Sequence, residues 1–528
     1  MLKFCPSIPP FEVLMRALRF LPFTFCLLSF VTASAQNPFI SLNLSDDEIY
    51  SFMEKLSVKG LLDLHTNTIP VSTDRALITL NRIKRRAEAG EISLSSTEIG
   101  KLERLIGSIP ALEGEGERFN FDPSGGVETG DEGSGGYLSL YSKPAVFSAI
   151  GRRISFMTGF KYGILKDHRN YPPLPGERVY PTGDLWQVSS IRAYLNVRIT
   201  PAFSLSVGRE RMWWGPGRFG SLILSYNSGP KDMITLELRT RRINFVSFTS
   251  ILKSKLGNKR LSGHRVELLP FGWVRVGIHE LILYSDRFEI GYLNPVTIYF
   301  VSLPMTEYGN RSGAEGRGGS VDNLVIGGDL AIRFLKGVEI YGEILIDDFQ
   351  PQEGLKGFRN WDSKYGILIG AYLVDPLGLR DTEARLEYAF VNQWCYTHES
   401  GLLAYTDMER SIGHPMGNDA DSLGFELKAD LSPNIRASLR YLLTRKGETD
   451  LNDIHPKGGP EEWDFLSGTE EIRHDLNLNL SLNLSKSWRI DLMAGIYRVR
   501  NLNHEKGKGD DGLRFALKLG TSMWRGVN

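Results

Sequence analysis

From Tyr137 almost to the C-terminus the chain alternates apolar and polar residues. Leu476, Leu478, Leu480, Leu482 and Leu484 interleave with Asn477, Asn479, Ser481, Asn483 and Ser485. Ile191, Ala193, Leu195, Val197 and Ile199 interleave with Arg192, Tyr194, Asn196 and Arg198, and residues 423–430 and 513–519 repeat the pattern. Successive side chains of a strand point to opposite faces, so each segment predicts one apolar and one polar face. A soluble sandwich would alternate in the same way. The connections separate the two cases. Short turns near 151–152, 200–201, 241–242, 270–271, 335–337, 375–378, 432–433 and 485–486 take turns with long loops. The loops span about 166–186, 214–231, 253–263, 285–323, 350–362, 397–420, 447–470 and 503–511. Short turns at one end and long loops at the other predict an all-β outer-membrane barrel with the long loops outside. A bilayer then demands closure, because no water is present to satisfy an open edge. About 17 strands are clear, and a weak segment at 118–122 brings the count to about 18, an even number as in single-chain barrels of this type.

Before the barrel the period changes. Ser45-Asp46-Asp47-Glu48 reads as a capping box, and Ile49, Phe52, Met53 and Leu56 follow at helical spacing. A second helix is predicted over 73–89, with Leu77, Leu80 and Ile83 on one side. A third begins at Ser95 with Glu98 in capping position and carries Ile99, Leu102, Leu105 and Ile106. Residues 114–136 are glycine-rich and acidic. The first residues read as an export signal: Arg16 and Arg19, an apolar run over 18–31, then Ala33-Ser34-Ala35. The expected organisation is a signal peptide at 1–35, a periplasmic helical bundle at 36–113 and a barrel at 114–528. Cys5 and Cys26 leave with the leader, so Cys395 alone remains and no intrachain disulfide is expected.

Charge narrows the function. Lys+Arg and Asp+Glu are each 62, so a nucleic-acid partner is not expected. By alternation the inward face carries Arg192, Arg198, Arg239, Arg275, Arg333, Arg385, Lys428, Arg436, Arg440, Arg489, Arg514 and Lys518. It also carries Glu237, Asp329, Glu339, Glu343, Asp347, Glu383, Glu387, Glu426, Asp430 and Asp491. An anion channel would be lined mostly by one sign. Near balance predicts ion pairs across a filled lumen, against a wet lumen of unpaired charges. The nine histidines are scattered, with no H-E-x-x-H and no Cys/His zinc spacing. Asn418-Asp419-Ala420-Asp421 lacks the calcium-loop spacing, and there is no G-x-S-x-G elbow. No metal, cofactor or catalysis is expected.

The informative motif is Arg209-Glu210-Arg211-Met212-Trp213-Trp214-Gly215-Pro216-Gly217, followed by Ser221-Leu222-Ile223-Leu224-Ser225. Aromatic faces beside Arg donors suit sugar rings bearing acidic groups. The candidate glycan-binding residues are Arg209, Arg211, Trp213, Trp214, Arg218, Tyr226 and Asn227, with His398 and His414 across the mouth. The rival reading places Trp213 and Trp214 in an interfacial aromatic girdle. Alternation also aims Arg209 and Arg211 outward, in line with Phe203, Leu205 and Val207, unless a bulge at Gly208 intervenes or the strand leaves the bilayer there.

Trp214–Gly217 and Ser221–Ser225 resemble the Wzi family of outer-membrane capsule assembly proteins. So do Gly291-Tyr292-Leu293-Asn294-Pro295, Tyr396-Thr397-His398, Gly413-His414-Pro415-Met416-Gly417, the hairpin from Leu335-Lys336-Gly337 to Asp347-Asp348-Phe349, and the stretch 63–70. The chain departs from a common barrel ending by continuing past Trp524 through Arg525-Gly526-Val527-Asn528. The resemblance implies an 18-stranded barrel with a periplasmic helical bundle. It implies a binding protein that holds or organises capsular or extracellular polysaccharide, with outer-membrane lipid and the polysaccharide export machinery as further partners. The alternative is a glycan-selective or general porin.

Overall fold

The computed structural model describes residues 47–109, 117–133, 135–151, 153–285, 287, 289–307, 322–348, 364–454, 465–485 and 487–521. The expected leader, the Ser45 half of the first capping box and the chain beyond Trp524 lie outside these residues.

Eighteen strands form a closed antiparallel barrel. They are β1 Glu117–Asp131, β2 Gly136–Ile150, β3 Ile154–Lys166, β4 Leu185–Arg198, β5 Phe203–Glu210 and β6 Lys231–Arg239. Then come β7 Ile243–Ser254, β8 Gly257–Phe271, β9 Val274–Ser285, β10 Asn323–Leu335, β11 Val338–Asp348 and β12 Lys364–Val374. The last are β13 Thr382–Val391, β14 Ala420–Ser432, β15 Ile435–Lys446, β16 Glu471–Asn483, β17 Trp488–Arg500 and β18 Gly509–Thr521. Each pairs with its neighbours in sequence, and β18 closes on β1 from Gly125↔Thr521 to Asp131↔Phe515. The apolar alternants face out: Ile191, Leu195, Leu478, Leu513 and Phe515 are all exposed. Inside, Arg265, Glu267, Arg275 and Glu339 are fully buried. An apolar outer belt around a polar lumen is the transmembrane arrangement, and a closed barrel of this kind belongs to an outer membrane.

Two expectations are corrected. β1 is 15 residues long, not the short segment 118–122. Its glycines read as loop but make room for lumenal tyrosines. A Cβ on Gly126 would stand 2.7 Å from the Tyr141 hydroxyl, and one on Gly130 would stand 2.9 Å from that of Tyr137. The connection expected as a long loop at 253–263 is a tight hairpin at Lys255-Leu256, with Ser254 paired to Gly257 at φ +136.

The segment before the barrel holds α1 Asp47–Val58, α2 Thr73–Glu88 and α3 Ser96–Ser108. Phe52, Leu56, Leu80, Ile83 and Leu102 form its core. The α3 capping box is made: Ser95 Oγ accepts from Glu98 N at 3.0 Å, and Glu98 accepts from Ser95 N at 3.0 Å. The helices sit at the short-turn end. Gly337 N donates to Val58 O (3.0 Å), Arg104 donates to Pro433 O (3.1 Å), and Lys59 pairs with Asp375 (2.9 Å). Many lumenal charges therefore pair with this segment rather than across an empty bore: Lys101–Asp430 at 2.9 Å, Arg198–Asp74 at 2.6 Å and Arg385–Glu54 at 2.8 Å. Others pair along the wall, as Arg436 does with Asp430 (2.7 Å). Arg440 lies over the Phe219 ring, 4.6 Å from its centroid.

The Gly291–Pro295 motif belongs to a strap. The short helices α4 Ile290–Leu293 and α5 Tyr299–Glu307 fold onto the outer wall of β8 and β9. Glu280 faces outward there, bonds His264 at 2.6 Å, and accepts from Tyr299 N (2.7 Å) and Phe300 N (3.2 Å). A carboxylate suits the free N–H groups that open a helix. Val296, Ile298 and Phe300 point away from the wall and are exposed, continuous in character with the apolar belt.

Candidate functional site

The site grows from the β5–β6 connection, residues 211–230. This loop leaves the long-loop end and turns into the lumen. Gly215 adopts φ +118, a conformation open to glycine. Its N–H donates to Asn67 O at 2.8 Å, where a side chain would collide with Glu343. Two buried acids on the lumenal wall receive the backbone. Glu343 accepts from Gly217 N (2.8 Å), Ser221 Oγ (3.0 Å) and Leu222 N (2.8 Å). Glu387 accepts from Arg218 N (2.7 Å), Phe219 N (3.0 Å) and the Tyr341 hydroxyl (2.8 Å). Both acids were expected inside the barrel as halves of ion pairs. Here they hold a chain whose glycines leave its N–H groups free. The signal in the sequence is a Gly-Pro-Gly loop that needs acceptors.

A second loop, 392–419, closes over the first. The Tyr396 hydroxyl donates to Leu222 O (2.5 Å) and that of Tyr405 to Ile223 O (2.6 Å). Ser225 N donates to Ile412 O (2.9 Å), and Asn227 donates to Ser411 O (3.1 Å). The motifs noted separately in the sequence thus pack on one another. From below, the segment after α1 rises to meet them. Thr68 and Ile69 pair antiparallel with Trp214 and Trp213. Thr68 bonds Glu267 on β8 (2.5 Å), and Asn67 donates to Asp329 on β10 (3.2 Å). Chain from the two ends of the barrel therefore forms one small sheet inside it. Nothing in the sequence signals this pairing, since two-residue strands leave no periodicity.

The candidate residues divide. Trp214 is 0% exposed and packs edge-on against Phe248 (5.3 Å), so it is a core residue of the plug and offers no face to a sugar. His414 is 3% exposed, and burial pushes its imidazole down to about 3, so it is no cation at neutral pH. These two placements correct the expectation of surface contacts. Arg209 points outward at the end of β5 and pairs with Asp232 on β6 (2.8 Å). No bulge intervenes, because the register stays unbroken through Tyr194↔Gly208 and Ala193↔Arg209; the strand end resolves the conflict. Arg218 reaches toward Glu426 (4.0 Å), and His398 bonds Ser400 (3.1 Å) within its own loop.

Arg211, Trp213, Tyr226 and Asn227 remain half-buried on the β5–β6 loop. Trp213 and Tyr226 meet edge to face with centroids 4.7 Å apart. Trp213 is fixed by its indole N–H to Gly215 O (3.1 Å), and Arg211 by a bond to Pro175 O (2.7 Å) in the neighbouring loop. Two held aromatic rings beside a held guanidinium make a platform for a sugar with an acidic substituent. Among the described residues no cluster of His, Cys, Asp and Glu could hold a metal ion.

Comparisons with known proteins agree with the architecture. A structure of Wzi from Escherichia coli, described as an outer-membrane protein involved in group 1 capsule assembly and a carbohydrate-binding β-barrel, aligns with a TM-score of 0.60. It is 15% identical and covers 92% of this chain and 99% of its own. OprD and opdK from Pseudomonas aeruginosa align with TM-scores of 0.42 and 0.44, each at 10% identity. They cover 78% and 77% of this chain, and 97% and 99% of their own. At that level neither bears on function. Among curated proteins no sequence matches the chain. The family model for capsule assembly protein Wzi matches residues 147–291 and 327–512, more than half of the length, and the chain belongs to that family.

Proposed function

We propose that this barrel binds and organises capsular or extracellular polysaccharide at the cell surface and does not act as a conduit for it. The helical end faces the periplasm and the long loops face outside. Family membership supports the glycan, and one observation carries the mode of action: the sheet formed by Thr68–Ile69 and Trp213–Trp214 inside the lumen. A general porin needs an open path, and here two segments from opposite ends obstruct it. The reading is of a binding protein rather than an enzyme. The export machinery that delivers the polymer is its natural partner in the periplasm.

The polymer contacts the plug at Trp213, Tyr226 and Arg211. Loss of one stacking contact is expected to cost ~1 kcal/mol, several-fold in affinity. Repeated contacts along a polymer partly mask a single loss. Cells lacking the chain and supplied with Trp213→Ala, Tyr226→Ala or both are compared for cell-attached and shed polysaccharide. The double variant is expected to shed more than either single one at equal barrel levels. Normal attachment by a double variant that inserts normally would move the binding surface elsewhere.

A further inference from the structure

Among the described residues, the unpaired charges on the short turns at the helical end are of one sign. Arg153, Arg241, Arg242, Lys336 and Arg380 are all exposed. None has a side-chain ion pair or hydrogen bond among the described residues. The two acids on the same turns are already engaged, Asp375 by Lys59 (2.9 Å) and Asp381 by Ser95 Oγ (2.5 Å). The other end is mixed in sign: exposed Arg169, Arg178 and Lys255 share it with exposed Asp184, Glu399, Asp510 and Asp511, and there Arg209 pairs with Asp232, Arg445 with Asp421 (2.9 Å) and Lys508 with Glu505 (2.8 Å). Just above the basic rim, Phe271 and Trp273 stack outward at 5.5 Å and 12°, 59% and 49% exposed. Trp488 is exposed at the same end. Exposed Trp and stacked aromatics mark the level where hydrocarbon gives way to headgroups.

We propose that this rim is a binding surface for the anionic phospholipid headgroups of the membrane leaflet on the helical side. The five side chains stand on the turns after β2, β6, β10 and β12, spread around the circumference rather than converging. A single phosphate ion cannot bridge such positions, whereas a leaflet surrounds them all. Lys and Arg beside an anionic membrane surface are attracted in this way, and the attraction fades within a Debye length. The proposal rests on the orientation given above but not on glycan binding.

The test uses the purified full chain in detergent, offered equal phosphatidylglycerol and phosphatidylcholine of matched chains, with retained lipid read by native mass spectrometry. The unmodified protein is expected to retain phosphatidylglycerol preferentially. The triple variant Arg153→Gln, Arg241→Gln, Arg242→Gln is expected to lose affinity for it by about fivefold per side chain at low salt, with phosphatidylcholine unaffected. Should that variant fail to fold, Lys336→Gln with Arg380→Gln asks the same question on other turns. Equal retention of both lipids by the unmodified protein overturns the proposal. So does an undiminished preference in a folded variant, or displacement of the lipid by millimolar inorganic phosphate. Glycan binding by the same variants is expected to be unchanged, so the two readings fail separately.

Discussion

Glu343 and His414 show how single residues lock the plug. Glu343 takes three donors from the loop and has no cation within ion-pairing distance among the described residues. Removing the carboxylate leaves buried donors unpaired, at ~1–3 kcal/mol each. Glu343→Ala is therefore expected to lower the urea midpoint of the detergent-solubilised barrel by an amount equivalent to about 3 kcal/mol or more, and Glu343→Gln by less. An unmoved midpoint for the alanine variant would remove Glu343 as the anchor. His414 adds a pH dependence. Its folded pKa of about 3 lies below the ordinary 6.5 because burial disfavours the cation. Below pH 6.5 the unfolded chain takes up a proton that the folded one refuses, so stability is full above 6.5 and falls as the pH drops toward 3. Between pH 6.5 and 5 the loss is about 2 kcal/mol. His414→Gln is expected to flatten the stability profile over that interval; an equal slope in the variant would assign the dependence to other groups.

At the scale of elements, the 211–230 loop behaves as a stopper held from three sides. The wall acids hold its backbone N–H groups from Gly217 to Leu222, loop 392–419 covers Leu222 and Ile223, and Thr68–Ile69 pairs with its tryptophans. Trp214→Ala removes the largest side chain of that junction, at ~3–5 kcal/mol for a buried Trp. In planar bilayers the unmodified chain is expected to show no large steady conductance. Trp214→Ala is expected to flicker, and replacement of 216–228 by a short Gly-Ser linker to open stepwise channels. Large steady conductance from the unmodified chain would restore the porin. The strands and the α3 cap were legible because alternation and Ser-x-x-Glu are local signals: Leu476 to Ser485 and Ser95 to Glu98 declare themselves. The inward fold of the loop was not legible. Trp214 carries the same letters whether it faces a sugar or Phe248, and only the long-range pairing with Thr68 decides which. Gly126 and Gly130 misled for a similar reason, since their use depends on tyrosines of the next strand.

For the whole molecule, the two ends differ in loop length, in charge and in what fills them. Protease added to intact cells is expected to cut within 447–454 or 465–470 and to spare 200–201 and 433–434, and the opposite pattern would invert the orientation. A barrel obstructed from within, with half-buried aromatic rings and a guanidinium held on the obstructing loop, suits a protein that holds a polymer rather than passing it. The direct test is binding of the purified barrel to the host's own capsular polysaccharide, by surface plasmon resonance with the polymer immobilised. The expected result is saturable binding by the unmodified protein and several-fold weaker binding by Trp213→Ala with Tyr226→Ala, both proteins showing the same folded migration. No binding by the unmodified barrel, or equal binding by the folded double variant, would contradict the assignment.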